Sequence, residues 1–97
     1  MSGPYKGIRV LELTSTVSGP YAGMMLADQG ADVIKIEPPG IGDLARFMGT
    51  IKDGMGAMFS TLNRNKKCIC LDFKNDEDLE VFKKLVSTAD VLIENYR

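Results

Sequence analysis

The sequence predicts an α/β fold: an open parallel sheet of about four strands with flanking helices. Three observations carry that reading. Four short runs rich in branched apolar residues recur along the chain, each of strand length. Helical patterns separate the first run from the second and the third from the fourth, and strands joined by helical crossovers lie parallel with right-handed connections. Glycine and proline mark the joints, at Gly19-Pro20, Gly30 and Pro38-Pro39-Gly40.

The first strand is Ile8 to Leu13, followed by a polar turn from Thr14 to Ser18. Gly19-Pro20 opens a helix, with Pro20 in the first turn where its missing N–H costs little. That helix runs to Asp28, is apolar on nearly all sides, and ends at Gly30, a left-handed cap. A second strand covers Ala31 to Glu37. From Gly40 to about Gly56 no period emerges, and long irregular segments of this kind tend to be functional or mobile. Met58 to Asn63 forms a short helical turn. Lys67 to Phe73 reads as a third strand, apolar on both faces apart from its ends. Asn75 or Asp76 caps the clearest helix, in which Leu79, Phe82, Leu85 and Val86 fall on one stripe. Asp76, Glu77 and Asp78 in its first turn suit the helix dipole. Ala89 to Glu94 is the fourth strand, and Asn95-Tyr96-Arg97 follows it. The order amounts to a Rossmann-like half, a partial domain.

Composition narrows the function. Ninety-seven residues, 44% hydrophobic and 26% charged, suit one small folded domain. A formal charge of −1 excludes a surface built to bind nucleic acid or an anionic membrane across the whole domain. No run approaches the roughly 20 apolar residues of a membrane helix, and the start lacks a signal peptide's hydrophobic core, so the expected compartment is the cytoplasm. With no histidine in the chain, no Ser-His-Asp triad, Cys-His pair or histidine base is available. Cys68 and Cys70 sit two apart on one strand face, roughly 6.6 Å from each other, poorly placed for a disulfide and too few for zinc. They read as packing residues, and no metal site is expected.

In an open parallel sheet ligands bind beyond the carboxyl ends of the strands, here Thr14–Gly19, Glu37–Gly40, Asp72–Lys74 and Glu94–Arg97. A helix start beside the first strand favours an anion, so a nucleotide or phosphate-bearing cofactor is the expected class. An NAD site would want G-x-G-x-x-G after the first strand. That turn contains only Gly19 and Gly23, wrongly spaced, with Pro20 lacking a donor.

Four blocks then carry a resemblance. They are Gly7 to Thr14 with Gly19-Pro20-Tyr21-Ala22, Leu26 to Glu37, Asn63 to Lys67 with Leu71 to Lys74, and Ala89 to Arg97. In this order and spacing they resemble the amino-terminal part of family III CoA-transferases (the CaiB/BaiF type, which shares its fold with 2-methylacyl-CoA racemases). The resemblance spans nearly the whole chain. It implies an enzyme that uses an acyl-CoA and a carboxylic acid, and that works as an interlocked homodimer. It further implies covalent catalysis by an aspartate lying downstream of the fourth strand. No catalytic residue is therefore assigned here, and residues 1–97 are expected to be the amino-terminal part of the large domain, inactive alone. Asp28, Asp32, Asp72, Asp76 and Asp90 are explained by helix and strand ends. The long segment leading to Leu62 and Arg64 looks more like the transferases than the racemases. A stand-alone module that binds CoA or a nucleotide is the alternative of another class.

By position, the resemblance implies coenzyme A contacts at Thr16, Val17 and Ser18, at Pro38, at Leu71 and Lys74, and at Asn95 and Tyr96. Val17 and Pro38 depart from the polar and basic residues that some members place there. Lys74 reads either as a cation for a CoA phosphate or as a solvated lysine before a helix. Tyr96 either stacks near the adenine or completes the core. Arg64, Lys66 and Lys67, the densest basic cluster, read as a solvated face, or as a group that meets a phosphate or pins the Gly40–Gly56 segment. Met24, Met25, Met55 and Met58 read as core filling rather than an acyl tunnel.

Overall fold

A computed structural model of the chain describes residues 3–52 and 54–96. Its elements are β1 (Arg9–Leu13), α1 (Ser18–Asp28), β2 (Asp32–Glu37), a 3₁₀ turn (Leu44–Phe47), β3 (Ile51–Lys52), β4 (Met55–Gly56), α2 (Ala57–Leu62), β5 (Lys67–Cys70), α3 (Asp76–Thr88) and β6 (Val91–Glu94). The main sheet has the order β5-β2-β1-β6, with every pairing parallel. The expected four-strand parallel sheet is therefore present, flanked by helices. β3 and β4 form a small antiparallel hairpin inside the segment that showed no period.

Strand alternation divides the core into two halves. On one face Val10 and Val33 meet Ala27 and Ala31 beneath α1. On the other, Leu11, Ile34, Ile36 and Leu71 meet Phe82, Leu85 and Ala89 of α3 and its end. Helix α3 starts where the capping chemistry says it should: the Asn75 side chain accepts from the N–H groups of Glu77 and Asp78 at 2.9 and 3.2 Å. Gly30 closes the α1 exit at φ 102°, a backbone region open to glycine.

Helix α1 lies close to the sheet because Gly23 has no side chain. A Cβ there would sit 1.8 Å from Glu12 Oε1 and 2.9 Å from its carboxyl carbon. The helix is not covered on both sides, however. Tyr21 and Met25 face outward, 49% and 45% exposed.

The third strand differs from expectation in the same way. β5 ends at Cys70 and is an edge strand, and Cys68 and Cys70 are exposed rather than packed. Their apolar character has no cover among the described residues. Val86 of α3 is likewise exposed, although its stripe neighbours Phe82 and Leu85 pack on the core. Met24 is buried as expected, whereas Met25 and Met55 lie on the surface.

Replacing Gly23 with alanine forces the added methyl against the Glu12 carboxylate. A loss of about 3 kcal/mol is expected, at the upper end of overpacking penalties, read as a lowered midpoint in chemical denaturation.

Candidate functional site

Beneath the carboxyl ends of the central strands lies a cluster of charges that the protein has taken out of water. Glu12 and Lys35 stand opposite each other in the β1–β2 register, and both side chains are fully buried. Lys35 Nζ donates to Glu12 Oε2 at 3.1 Å, to the Thr14 carbonyl at 3.1 Å and to Thr14 Oγ1 at 3.2 Å. It also lies 2.9 Å from Asp43 Oδ2. The Thr14 hydroxyl donates to Glu12 Oε2 as well. On the other side of Glu12, Lys66 Nζ sits 2.7 Å from Oε1 and donates to the Pro20 carbonyl at 2.9 Å and to Asn63 Oδ1 at 2.8 Å. The Oε1 and Asp43 Oδ2 contacts are ion pairs rather than aligned hydrogen bonds.

A second pair extends the cluster. Arg46 forks onto Glu37, with Nε 3.0 Å from Oε1 and a terminal nitrogen 2.8 Å from Oε2. Its guanidinium lies 3.8 Å above the Phe59 ring. Glu37 Oε1 also accepts the Asp43 N–H at 3.2 Å. Lys35, Lys66 and Arg46 thus face Glu12, Glu37 and Asp43 in a charge-balanced set, the condition under which buried charges are tolerated.

The loops above this cluster are tied to it. Asp43 Oδ1 accepts from Ser15 Oγ at 3.1 Å, Thr16 N–H at 3.0 Å and Ala45 N–H at 2.8 Å. Asn95, beyond β6, grips Ser15 from the other side: its Oδ1 accepts the Ser15 N–H at 2.9 Å and its Nδ2 donates to the Ser15 carbonyl at 2.9 Å. Held between these, Thr16 takes φ 72°, a costly region for a β-branched residue. Gly19 lets α1 start hard against Thr14, where a Cβ would meet the Thr14 methyl at 2.5 Å.

Beside this loop opens a largely apolar cavity of about 230 Å³ lined by Leu13, Ile36, Pro38, Leu71, Lys74 and Tyr96, among others. Four of the eight residues singled out from sequence, Pro38, Leu71, Lys74 and Tyr96, therefore share one cavity. Thr16, Val17, Ser18 and Asn95 are not among its lining residues; Asn95 instead pairs with Ser15 and reaches Ser18 Oγ at 3.4 Å. Val17 is 42% exposed and caps α1 without a side-chain hydrogen bond. Lys74 is exposed, and its N–H donates to Asp72 Oδ1 at 3.0 Å. Tyr96 is 46% exposed; the burial it has, with the Asp43, Glu37 and Glu12 carboxylates nearby, pushes its phenol above the usual value.

The basic cluster resolves into three different roles. Lys66 is no solvated lysine: its side chain is wholly buried on Glu12. Burial lowers its pKa, against the opposing pull of Glu12. Arg64 instead braces Asp28 at 2.6 Å, and Lys67 pairs with Asp32 at 3.1 Å. None of the three lines the cavity.

Glu12, Lys35 and Asp43 were not singled out from sequence, and Lys66 was read only as part of a surface cluster. A signal existed, since Glu12 and Lys35 interrupt otherwise apolar central strands with opposite charges. Burial raises the Asp43 carboxyl, but the N–H groups of Thr16 and Ala45 and the Lys35 ammonium outweigh it and hold the pKa below 3.8. A depressed carboxyl stabilises the fold above its unfolded pKa and loses that contribution as pH falls through the folded one. Acid unfolding below pH 3.8 is therefore expected to flatten in Asp43→Asn. In Lys35→Met both Glu12 and Asp43 lose their shared cation, and a loss of about 3–5 kcal/mol is expected in denaturant melts at neutral pH.

The sequence model described as CoA-transferase family III matches residues 5–97. A succinyl-CoA:mesaconate CoA-transferase from Haloarcula hispanica is 46% identical over 98% of this chain and 25% of its own length. A formyl-CoA:oxalate CoA-transferase from Escherichia coli is 48% identical over 99% of this chain and 23% of its own. A crystal structure of a CaiB/BaiF family protein from Brucella suis superposes with a TM-score of 0.89 at 40% identity, covering 99% of this chain and 26% of that one. The chain spans about a quarter of the length of the curated relatives it matches.

Proposed function

The chain belongs to CoA-transferase family III, and we propose that it supplies the CoA-binding wall of an enzyme that moves CoA from an acyl-CoA to a carboxylic acid. The observation that carries this reading is the cavity at the carboxyl ends of β1, β2 and β5. It sets an apolar floor of Leu13, Ile36 and Leu71 beside the exposed Lys74.

CoA offers matching chemistry: a flat adenine, a set of phosphates and a thioester arm. Pro38, Leu71 and Tyr96 provide surface for the adenine, and Lys74 meets a phosphate as a compact point charge. The Thr16-Val17-Ser18 turn lies along the path of the pantetheine arm, with Asn95 fixing the turn from behind. The start of α1, which has no side-chain cap, adds free N–H groups of favourable polarity for an anion. Both curated relatives above are transferases, which favours transfer over racemisation.

The covalent step belongs to an aspartate that this chain does not supply. In that step a carboxylate oxygen attacks the thioester carbonyl and expels CoA thiolate, leaving an acyl-aspartyl anhydride. The thiolate then attacks the aspartyl carbonyl and releases the donor acid, leaving an aspartyl-CoA thioester. The acceptor carboxylate attacks that thioester to give a second anhydride and free thiolate. That thiolate takes the acceptor acyl group and releases the aspartate, so one difficult exchange is split into easier steps. Asp43 is engaged in its ion pair and its N–H bonds, and Asp72 accepts from Lys74, which suits structural roles. Exposed Val91 and Leu92 on the edge strand β6 fit a homodimer in which further structure or a partner subunit covers that edge. Among the described residues no helix is long and apolar enough to cross a membrane, in keeping with a cytoplasmic enzyme.

Calorimetric titration of the purified protein with CoA, and separately with NAD, tests the reading. CoA binding is expected, weakened roughly three- to tenfold in Lys74→Ala by loss of one charged contact. Absence of CoA binding, or equal affinity for NAD, would contradict it.

A further inference from the structure

Asp43 does not line the cavity assigned to CoA, although its N–H donates to Glu37, which does. Its carboxylate holds the β1–α1 loop, which the CoA reading sets along the pantetheine arm. We infer that Asp43 is a positioning residue for CoA binding, acting by holding Thr16 in its left-handed conformation; this rests on the CoA reading above.

The ordinary role of Asp43 is visible too. It is the N-cap of the 3₁₀ turn, accepting the Ala45 N–H. A cap needs one acceptor and no charge. Asp43 has more: the same oxygen accepts from Ser15 Oγ and from Thr16 N–H, and its other oxygen is fixed by the buried ammonium of Lys35. Its side chain is almost completely buried, with a residue exposure of 1%. These bonds are charge-assisted and so stronger than neutral ones.

What the loop needs explains the excess. Thr16 at φ 72° is a strained β-branched residue, which persists only where its surroundings over-determine it. The Thr16 N–H bond to Asp43 and the Asn95 grip on Ser15 supply that determination from two sides. Asn95 holds Ser15 before the strained residue and reaches Ser18 Oγ at 3.4 Å after it, but makes no bond to Thr16 itself. Asp43 holds Thr16 itself, and with it the exit direction of Val17 and Ser18. The anchor is also stiff, because Lys35 lies in the central strand β2, in register with Glu12. The turn's conformation is therefore referred to the middle of the sheet rather than to its own short segment.

Two variants separate loop-holding from capping. Asp43→Ser keeps a cap acceptor for Ala45 but is too short to reach Ser15 and Thr16 as well. Thr16→Gly removes the strain, since glycine adopts positive φ freely. With CoA affinity of the purified protein as the readout, Asp43→Ser is expected to bind about tenfold more weakly, in line with the loss of charge-assisted bonds. Adding Thr16→Gly to it is expected to recover most of that loss. A merely structural role for Asp43 predicts the reverse, because a second loosening substitution would add to the damage. Unchanged affinity in Asp43→Ser, or no recovery on adding Thr16→Gly, overturns the inference while leaving CoA binding by the parent protein intact. A parent protein that fails to bind CoA instead overturns the reading on which it rests, and the inference with it. Should Asp43→Ser fail to fold, Ser15→Ala takes its place, deleting one donor to Asp43. Binding weakened about two- to fivefold supports the inference, and unchanged binding overturns it.

Discussion

The buried ammonium of Lys35 constrains everything around it. A charge at the centre of a parallel sheet is tolerated only with partners on every side, and Lys35 finds Glu12, Thr14 and Asp43. Each partner commits a different part of the chain. Glu12 fixes the β1–β2 register and calls Lys66 in from the start of β5. Thr14 fixes the exit of β1. Asp43 draws the segment after β2 back over the strand ends. Gly23 and Gly19 are the spatial consequence, since α1 must pass over these groups with no room for a methyl.

Rigidity at the strand ends follows from that arrangement. The loops at the carboxyl end of an open sheet are ordinarily its most mobile parts. Here the β1–α1 loop is held by Asp43 on one side and Asn95 on the other, and the Glu37–Arg46 fork ties down the next loop. The cavity beside them keeps an apolar floor because the charges are spent on one another below it. Polar interior and apolar cleft are two aspects of one layout: the network carries the polar side chains downward and leaves Leu13, Ile36 and Leu71 to face the opening.

The fold was legible in the sequence wherever one element determines its own form. Strand runs, the Asn75 cap and the Gly30 exit needed only local chemistry, and each element formed within a few residues of its expected bounds. The cleft was legible by topology, which brought Pro38, Leu71, Lys74 and Tyr96 into one cavity. What escaped depends on partners distant in sequence. Lys66 reads as surface beside Arg64 and Lys67, yet it is buried because Glu12, in another strand, requires a second cation. The hairpin of β3 and β4 has two residues per strand, too short to show alternation. Cys68 and Cys70 read as core because they are apolar, and they are exposed because β5 lies at an edge, a property of the sheet order rather than of the strand.

A crystal structure of the protein with CoA bound is the most direct test of this account. It predicts the adenine against Pro38, Leu71 and Tyr96, a phosphate at Lys74, Thr16 still at positive φ, and the contacts among Lys35, Glu12 and Asp43 unchanged. CoA seated elsewhere, or a β1–α1 loop that lets go of Asp43 to admit it, would contradict the claim that the buried network preforms the site.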